Sequence, residues 1–77
     1  MHQNLQIIDR IISEHDLNPV IEKRPALRRA MGMSQPTQWR KEKKVGIEPT
    51  FHVGDRAAFD TRDYLARMLG LEGSEAA

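Results

Sequence analysis

The chain contains no cysteine. That excludes a disulfide, a thiolate metal site and a cysteine nucleophile. Aromatic side chains are scarce, with two Phe, one Trp and one Tyr in 77 residues. Leu, Ile, Val and the four Met must therefore supply much of any core. Long apolar runs are missing too. None approaches the roughly 18 residues of a membrane-spanning helix. The N-terminus lacks the basic-then-apolar pattern of a secretory leader. A cytoplasmic protein with no membrane partner is the expectation.

Catalytic equipment is equally thin. His2, His15 and His52 are scattered, with no pair at metal-ligand spacing. Ser13, Ser34 and Ser74 stand in no nucleophile-elbow context. No glycine-rich phosphate loop is present, and Gly54-Asp55-Arg56 reads as a hairpin turn rather than a nucleotide cradle. The expectation is a non-enzyme with no catalytic residue, metal or cofactor.

What is present is a patterned distribution of charge. Net charge is only +1. Yet Lys23, Arg24, Arg28, Arg29, Arg40, Lys41, Lys43 and Lys44 fall in one stretch whose only acid is Glu42. A near-neutral chain with one concentrated basic segment can present a basic face to phosphates.

The periodicity predicts one mainly α domain over residues 1–71 with a small β-hairpin, and a flexible tail over 72–77. A core this small buries only about 60% of its unfolded surface. The first helix is expected over 3–16, with Leu5, Ile8 and Ile12 on a stripe widened by Ile7 and Ile11. That stripe can pack on the domain or form the seam of a homodimer. Asn18-Pro19 is turn chemistry, after which Val20 and Ile21 are expected to plug the core edge.

Residues 24–44 read as two helices around a turn. Pro25 suits the first turn of a helix running to Met31. Gly32 can take the positive φ that ends it. Met33 is apolar, and Ser34 can cap the second helix, expected over 35–44. Helix, glycine, apolar residue, serine, helix is the spacing of a helix-turn-helix. Phe51 and Val53 are expected to point inward from the first strand of a hairpin over 51–59, with His52 outward. Asp60 and Asp63 form a capping-box-like start to a closing helix over 60–70. Phe59 and Tyr64 have staple spacing, and Tyr64, Leu65, Met68 and Leu69 form the apolar stripe. Together the fold class is a winged helix-turn-helix with an extra N-terminal helix.

The second helix carries the candidate contacts. A helix fits the major groove of B-DNA, and its N-terminal residues reach base edges. Gln35, Thr37 and Gln38 lie in that first turn. Gln can pair with adenine through two hydrogen bonds, and Thr can donate, accept or touch a thymine methyl. Arg40 can read guanine or grip phosphate. Lys41, Lys43 and Lys44 suit phosphates, which position without specifying. Arg28 faces out from the preceding helix. Trp39 is expected to be partly buried with one edge towards the interface. Gly54 and Arg56 form the hairpin tip, where an arginine can enter a minor groove or clamp phosphate.

From Pro25 to Leu69 the chain resembles the winged helix-turn-helix shared by phage excisionases, AlpA-type regulators and the DNA-binding heads of MerR-like proteins. RRAMGMSQPTQWRKEK carries the two helices and turn, and FHVGDRAAFDTRDYLARML carries the wing and closing helix. The resemblance implies Ser34 as cap, Gln35, Thr37, Gln38 and Arg40 as groove-facing, and Gly54 and Arg56 as wing. Positions 38 and 41 are usually apolar in such helices and are Gln and Lys here. The helix before residue 20 is additional to the minimal module.

The implied function is a sequence-specific, double-stranded-DNA-binding transcriptional regulator of phage or mobile-element type. One alternative is an excisionase that bends attachment-site DNA and directs an integrase. Another, of a different class, is a protein-interaction module that uses the N-terminal helix.

Overall fold

The computed structural model describes the backbone of residues 2–71 and the side chains of residues 6–71. The element order is α1 (His2–Glu14), β1 (Ile21–Lys23), α2 (Arg24–Met31), α3 (Gln35–Val45), β2 (Phe51–Val53), β3 (Arg56–Asp60) and α4 (Thr61–Met68). The fold is mainly α with a small antiparallel sheet: four helices and a hairpin that gains a third strand. The strand order is β1-β3-β2. Residues 72–77, expected as a tail, lie outside the described residues.

One hydrophobic centre is shared by helices and sheet. Ile8 and Ile12 of α1, Leu27 of α2, Phe59 of β3 and Tyr64, Leu65 and Met68 of α4 are buried together with Leu17. α1 lies on α4, α2 on the sheet, and α3 on α4. An ion pair between Arg62 and Asp9 ties α4 to α1. Ile8 and Ile12 are 4% and 8% exposed within a single copy, so both fill the domain's own core. The Leu5 side chain lies outside the described residues. Among the described side chains of α1, Ile7 is the large apolar residue left open, at 45% exposed.

All four helices end in the same way. After α2, the Gly32 amide donates to the Arg29 carbonyl and the Met33 amide to the Arg28 carbonyl. This pair of bonds needs a left-handed residue after the last turn, and Gly32 has φ 64°. The arrangement recurs at Gly46-Ile47 and Gly70-Leu71. In each case the second residue packs partly buried on the core. α1 repeats it with Asp16, φ 53°, in the place of glycine, followed by buried Leu17. The turn between α2 and α3 is thus Gly32-Met33-Ser34, as the sequence predicts. The Ser34 hydroxyl accepts from the Thr37 amide at 3.4 Å and caps α3.

Three expectations about the sheet and α4 need correction. Val20 is 68% exposed and does not plug the core. The Asn18 side-chain oxygen accepts from the Val20 and Ile21 amides at 2.9 and 3.1 Å, which puts Pro19-Val20 on the outside of a tight turn. Ile21 instead opens β1, paired with Asp60. Next, Phe51 and Val53 do not point inward. They pair with Ala58 and Arg56, so alternation puts them on the side of the sheet opposite Ala57 and Phe59. Phe59 faces the core, and Phe51 and Val53 remain 46% and 51% exposed. Last, α4 ends at Met68, and Leu69 is 40% exposed rather than part of the stripe.

The start of α4 follows the sequence closely. Asp60 accepts from the Asp63 amide at 2.9 Å. The reciprocal half of a capping box is absent, because the Asp63 carboxylate binds Arg67 and the Asp60 amide donates to the Thr50 hydroxyl. Phe59 and Tyr64 meet edge to face, with centroids 4.8 Å apart. Buried Thr61 donates to the Asn18 carbonyl at 2.7 Å, fastening the loop after α1 to the head of α4.

Candidate nucleic-acid interface

The side of α3 that faces the domain is polar. Gln38 and Glu42, one turn apart, are 0% and 5% exposed. The Gln38 amide nitrogen donates to the Arg24 carbonyl at 3.0 Å and to the Tyr64 hydroxyl at 3.1 Å. The Tyr64 hydroxyl in turn donates to Glu42 Oε2 at 2.8 Å. Arg24 grips the same carboxylate through Nε and Nη2, at 3.0–3.2 Å. Its guanidinium lies 5.0 Å from the Phe59 ring centroid. Burial, and next the hydrogen bond to the Glu42 carboxylate, push the Tyr64 hydroxyl well above the ordinary tyrosine range. The donation from Gln38 opposes that shift.

This arrangement corrects one candidate outright. Gln38 is not groove-facing, because its side chain is buried and bonded beneath α3. With positions 38 and 42 inward, 3.6-residue periodicity turns Arg40 directly outward, flanked by Lys43 on one side and Lys44 on the other. Gln35 and Trp39 follow on the flank towards the hairpin. Thr37, Lys41 and Lys44 follow on the other flank. All of these are exposed except Thr37, which is half-buried and accepts a hydrogen bond from Ser34 at 2.9 Å.

Trp39 is 53% exposed. It stands as a ridge between two grooves. One, of about 320 Å³, runs between α3 and the hairpin and is lined by Lys23, Arg28, Gln35, Trp39 and Arg56, among others. The other, of about 390 Å³, lies towards the end of α3 and is lined by Trp39, Arg40, Lys43 and Ile47 together with Arg24 and Glu42. Trp39 is thus more exposed than expected, and the buried residues of α3 are Gln38 and Glu42. Gly54, φ 67°, makes the hairpin turn and sets exposed Arg56 beside the first groove.

The cations on this side are unpaired. Among the described residues, Arg24 binds Glu42, Arg62 binds Asp9 and Arg67 binds Asp63. No ion pair is made by Lys23, Arg28, Arg40, Lys41, Lys43, Lys44 or Arg56. The one acid inside the basic segment, Glu42, is withdrawn from the surface and neutralised by Arg24. Asp55 is the acid that borders the groove itself. The structure thus brings together Arg28 of α2, Gln35, Trp39, Arg40, Lys41, Lys43 and Lys44 of α3, and Arg56 of the hairpin. Ser34 is confined to capping.

Sequence reasoning missed Lys23 as a groove residue and Glu42 as the partner of Arg24. A signal for Glu42 existed, since a lone acid among eight cations is a candidate for a specific partner. No protein-family profile matches the chain, and no curated protein or solved structure matches it significantly.

Proposed function

We propose that this protein is a sequence-specific DNA-binding transcriptional regulator of phage or mobile-element type, working in the cytoplasm. α3 enters the major groove and presents Arg40 with Lys43 and Lys44 beside it, and Gln35 and Trp39 along one flank. The hairpin lies over the neighbouring backbone or minor groove through Arg56. One observation carries the reading: exposed cations without ion-pair partners share a face with an exposed indole, and the acid of that segment is buried beneath it. Electrostatic attraction to phosphates supplies most non-specific affinity. Exposed Gln and Arg side chains can add base discrimination.

The experiment is a mobility shift on duplex DNA from upstream of the protein's own gene, across a salt series. About six phosphate contacts give a slope of about −5 in log affinity against log salt. A specific site should outlast bulk competitor DNA at every salt concentration. Failure to bind any duplex at low salt would sink the reading.

A further inference from the structure

α3 has no apolar side chain among its fully buried residues; Gln38 and Glu42 hold that place. Its seat is therefore built from directional bonds. Apolar burial is non-directional, so one close-packed arrangement can exchange with another that buries a similar area. Hydrogen bonds weaken steeply when bent. Those beneath α3 reach two separate elements: the Arg24 carbonyl and guanidinium at the start of α2 and the Tyr64 hydroxyl on α4. Rotating α3 by one residue would break all of them together.

This seat is not the arrangement that stability alone favours. It desolvates a carboxylate, and Gln38 Oε1 is buried with no hydrogen-bond partner. The amide cannot be turned to relieve this. Both neighbours of the nitrogen are acceptors, because the Tyr64 proton is committed to Glu42. A well-packed apolar set of similar volume is often as stable as a buried ionic one, or more so. What the polar set supplies is a single orientation.

We propose that Arg24, Gln38, Glu42 and Tyr64 are positioning residues that fix the rotation of α3 about its own axis, and so select which of its side chains meet DNA. The first half concerns the protein alone; the second rests on the DNA-binding reading above. Arg40 faces outward, between Lys43 and Lys44, because Gln38 and Glu42 are held inward.

The test compares the wild type with a fourfold variant, Arg24→Met, Gln38→Leu, Glu42→Leu and Tyr64→Phe, and with Tyr64→Phe alone. Without DNA, Trp39 is the sole tryptophan, so its emission and its quenching by acrylamide report the setting of α3. Amide NMR signals of residues 35–45 report whether that setting is single. The fourfold variant is expected to melt cooperatively, with altered Trp39 quenching and broadened amides in α3. With DNA, the probes are a duplex selected by the wild type from a random-sequence pool and a scrambled duplex. Discrimination between them should fall roughly tenfold or more, with the salt slope little changed. Tyr64→Phe should shift the same readouts in the same direction by a smaller amount. If the fourfold variant does not fold, that single change carries the test.

Unchanged Trp39 quenching, sharp α3 amides and full discrimination in a folded variant would overturn the proposal. A wild type that selects no site from the pool would defeat the DNA reading instead, and the DNA-free measurements would still decide whether the network sets the rotation.

Discussion

Glu42 is the residue on which the interior of the site turns. It is almost fully buried and bonded by both Arg24 and Tyr64. Removing one partner of a buried pair leaves the other uncompensated, at a cost of about 3–5 kcal/mol. The Arg24 side chain keeps 31% of its exposure and can be rehydrated, so Glu42→Ala should cost about 3 kcal/mol, measured by urea denaturation. Tyr64 carries a pH signature. Its hydroxyl loses its proton at a higher pH in the folded chain than in the unfolded one. The folded state then holds more protons, so this contribution is complete below about pH 10 and declines as pH rises above it. The stability advantage of wild type over Tyr64→Phe should therefore be constant from pH 6 to 9 and shrink towards pH 11. An advantage that grows with pH would show that the sign is wrong.

Elements were legible to different degrees. Helix boundaries followed from local chemistry: Pro25, Gly32, Ser34, Gly46, Asp60 and Gly70 each act within a few residues of themselves. The turn between α2 and α3, the hairpin tip and the capped, stapled start of α4 were therefore all readable. The third strand was not. Ile21–Lys23 is too short to signal itself and exists through pairing with β3, 39 residues away at its Ile21–Asp60 end. The face of α3 was misread for a similar reason. Local periodicity favours Trp39 as the inward residue, whereas the inward positions are set by Arg24 and Tyr64 from outside the helix. Phe51 and Val53 failed because strand alternation gives two faces without saying which is buried. The helix ends offer a test at this scale. Asp16 holds a left-handed conformation that L-residues other than glycine adopt at a cost of roughly 1–2 kcal/mol. Asp tolerates it better than most, and glycine adds entropy to the unfolded chain. Asp16→Gly should then stabilise by only about 0.5 kcal/mol. Asp60→Ala, which deletes the α4 cap, should destabilise by about 1 kcal/mol in the same denaturation assay.

For the whole molecule the decisive property is the separation of paired from unpaired charge. Ion pairs bind α1 to α4, run along α4 and anchor α3 from beneath. The cations of the outer face of α3 and the hairpin tip make no ion pair among the described residues. Much of that face was visible in the sequence as a basic segment around a helix-turn-helix, and nine of the ten α3 and hairpin-tip candidates from Gln35 to Arg56 stay at or beside the surface. Gln38 left the set and Lys23 joined it. A change confined to this face should separate binding from folding. Trp39 is 53% exposed, so Trp39→Ala should move the urea midpoint little while weakening duplex binding, by roughly 1–3 kcal/mol if the indole stacks on a base.

The most direct measurement maps amide chemical-shift changes on the folded protein as duplex DNA is added. The account predicts that the largest changes fall on α3 from Gln35 to Lys44 and on Gly54 to Arg56, with the outward side of α1 unmoved. Changes centred on α1, or none at low salt, would contradict it.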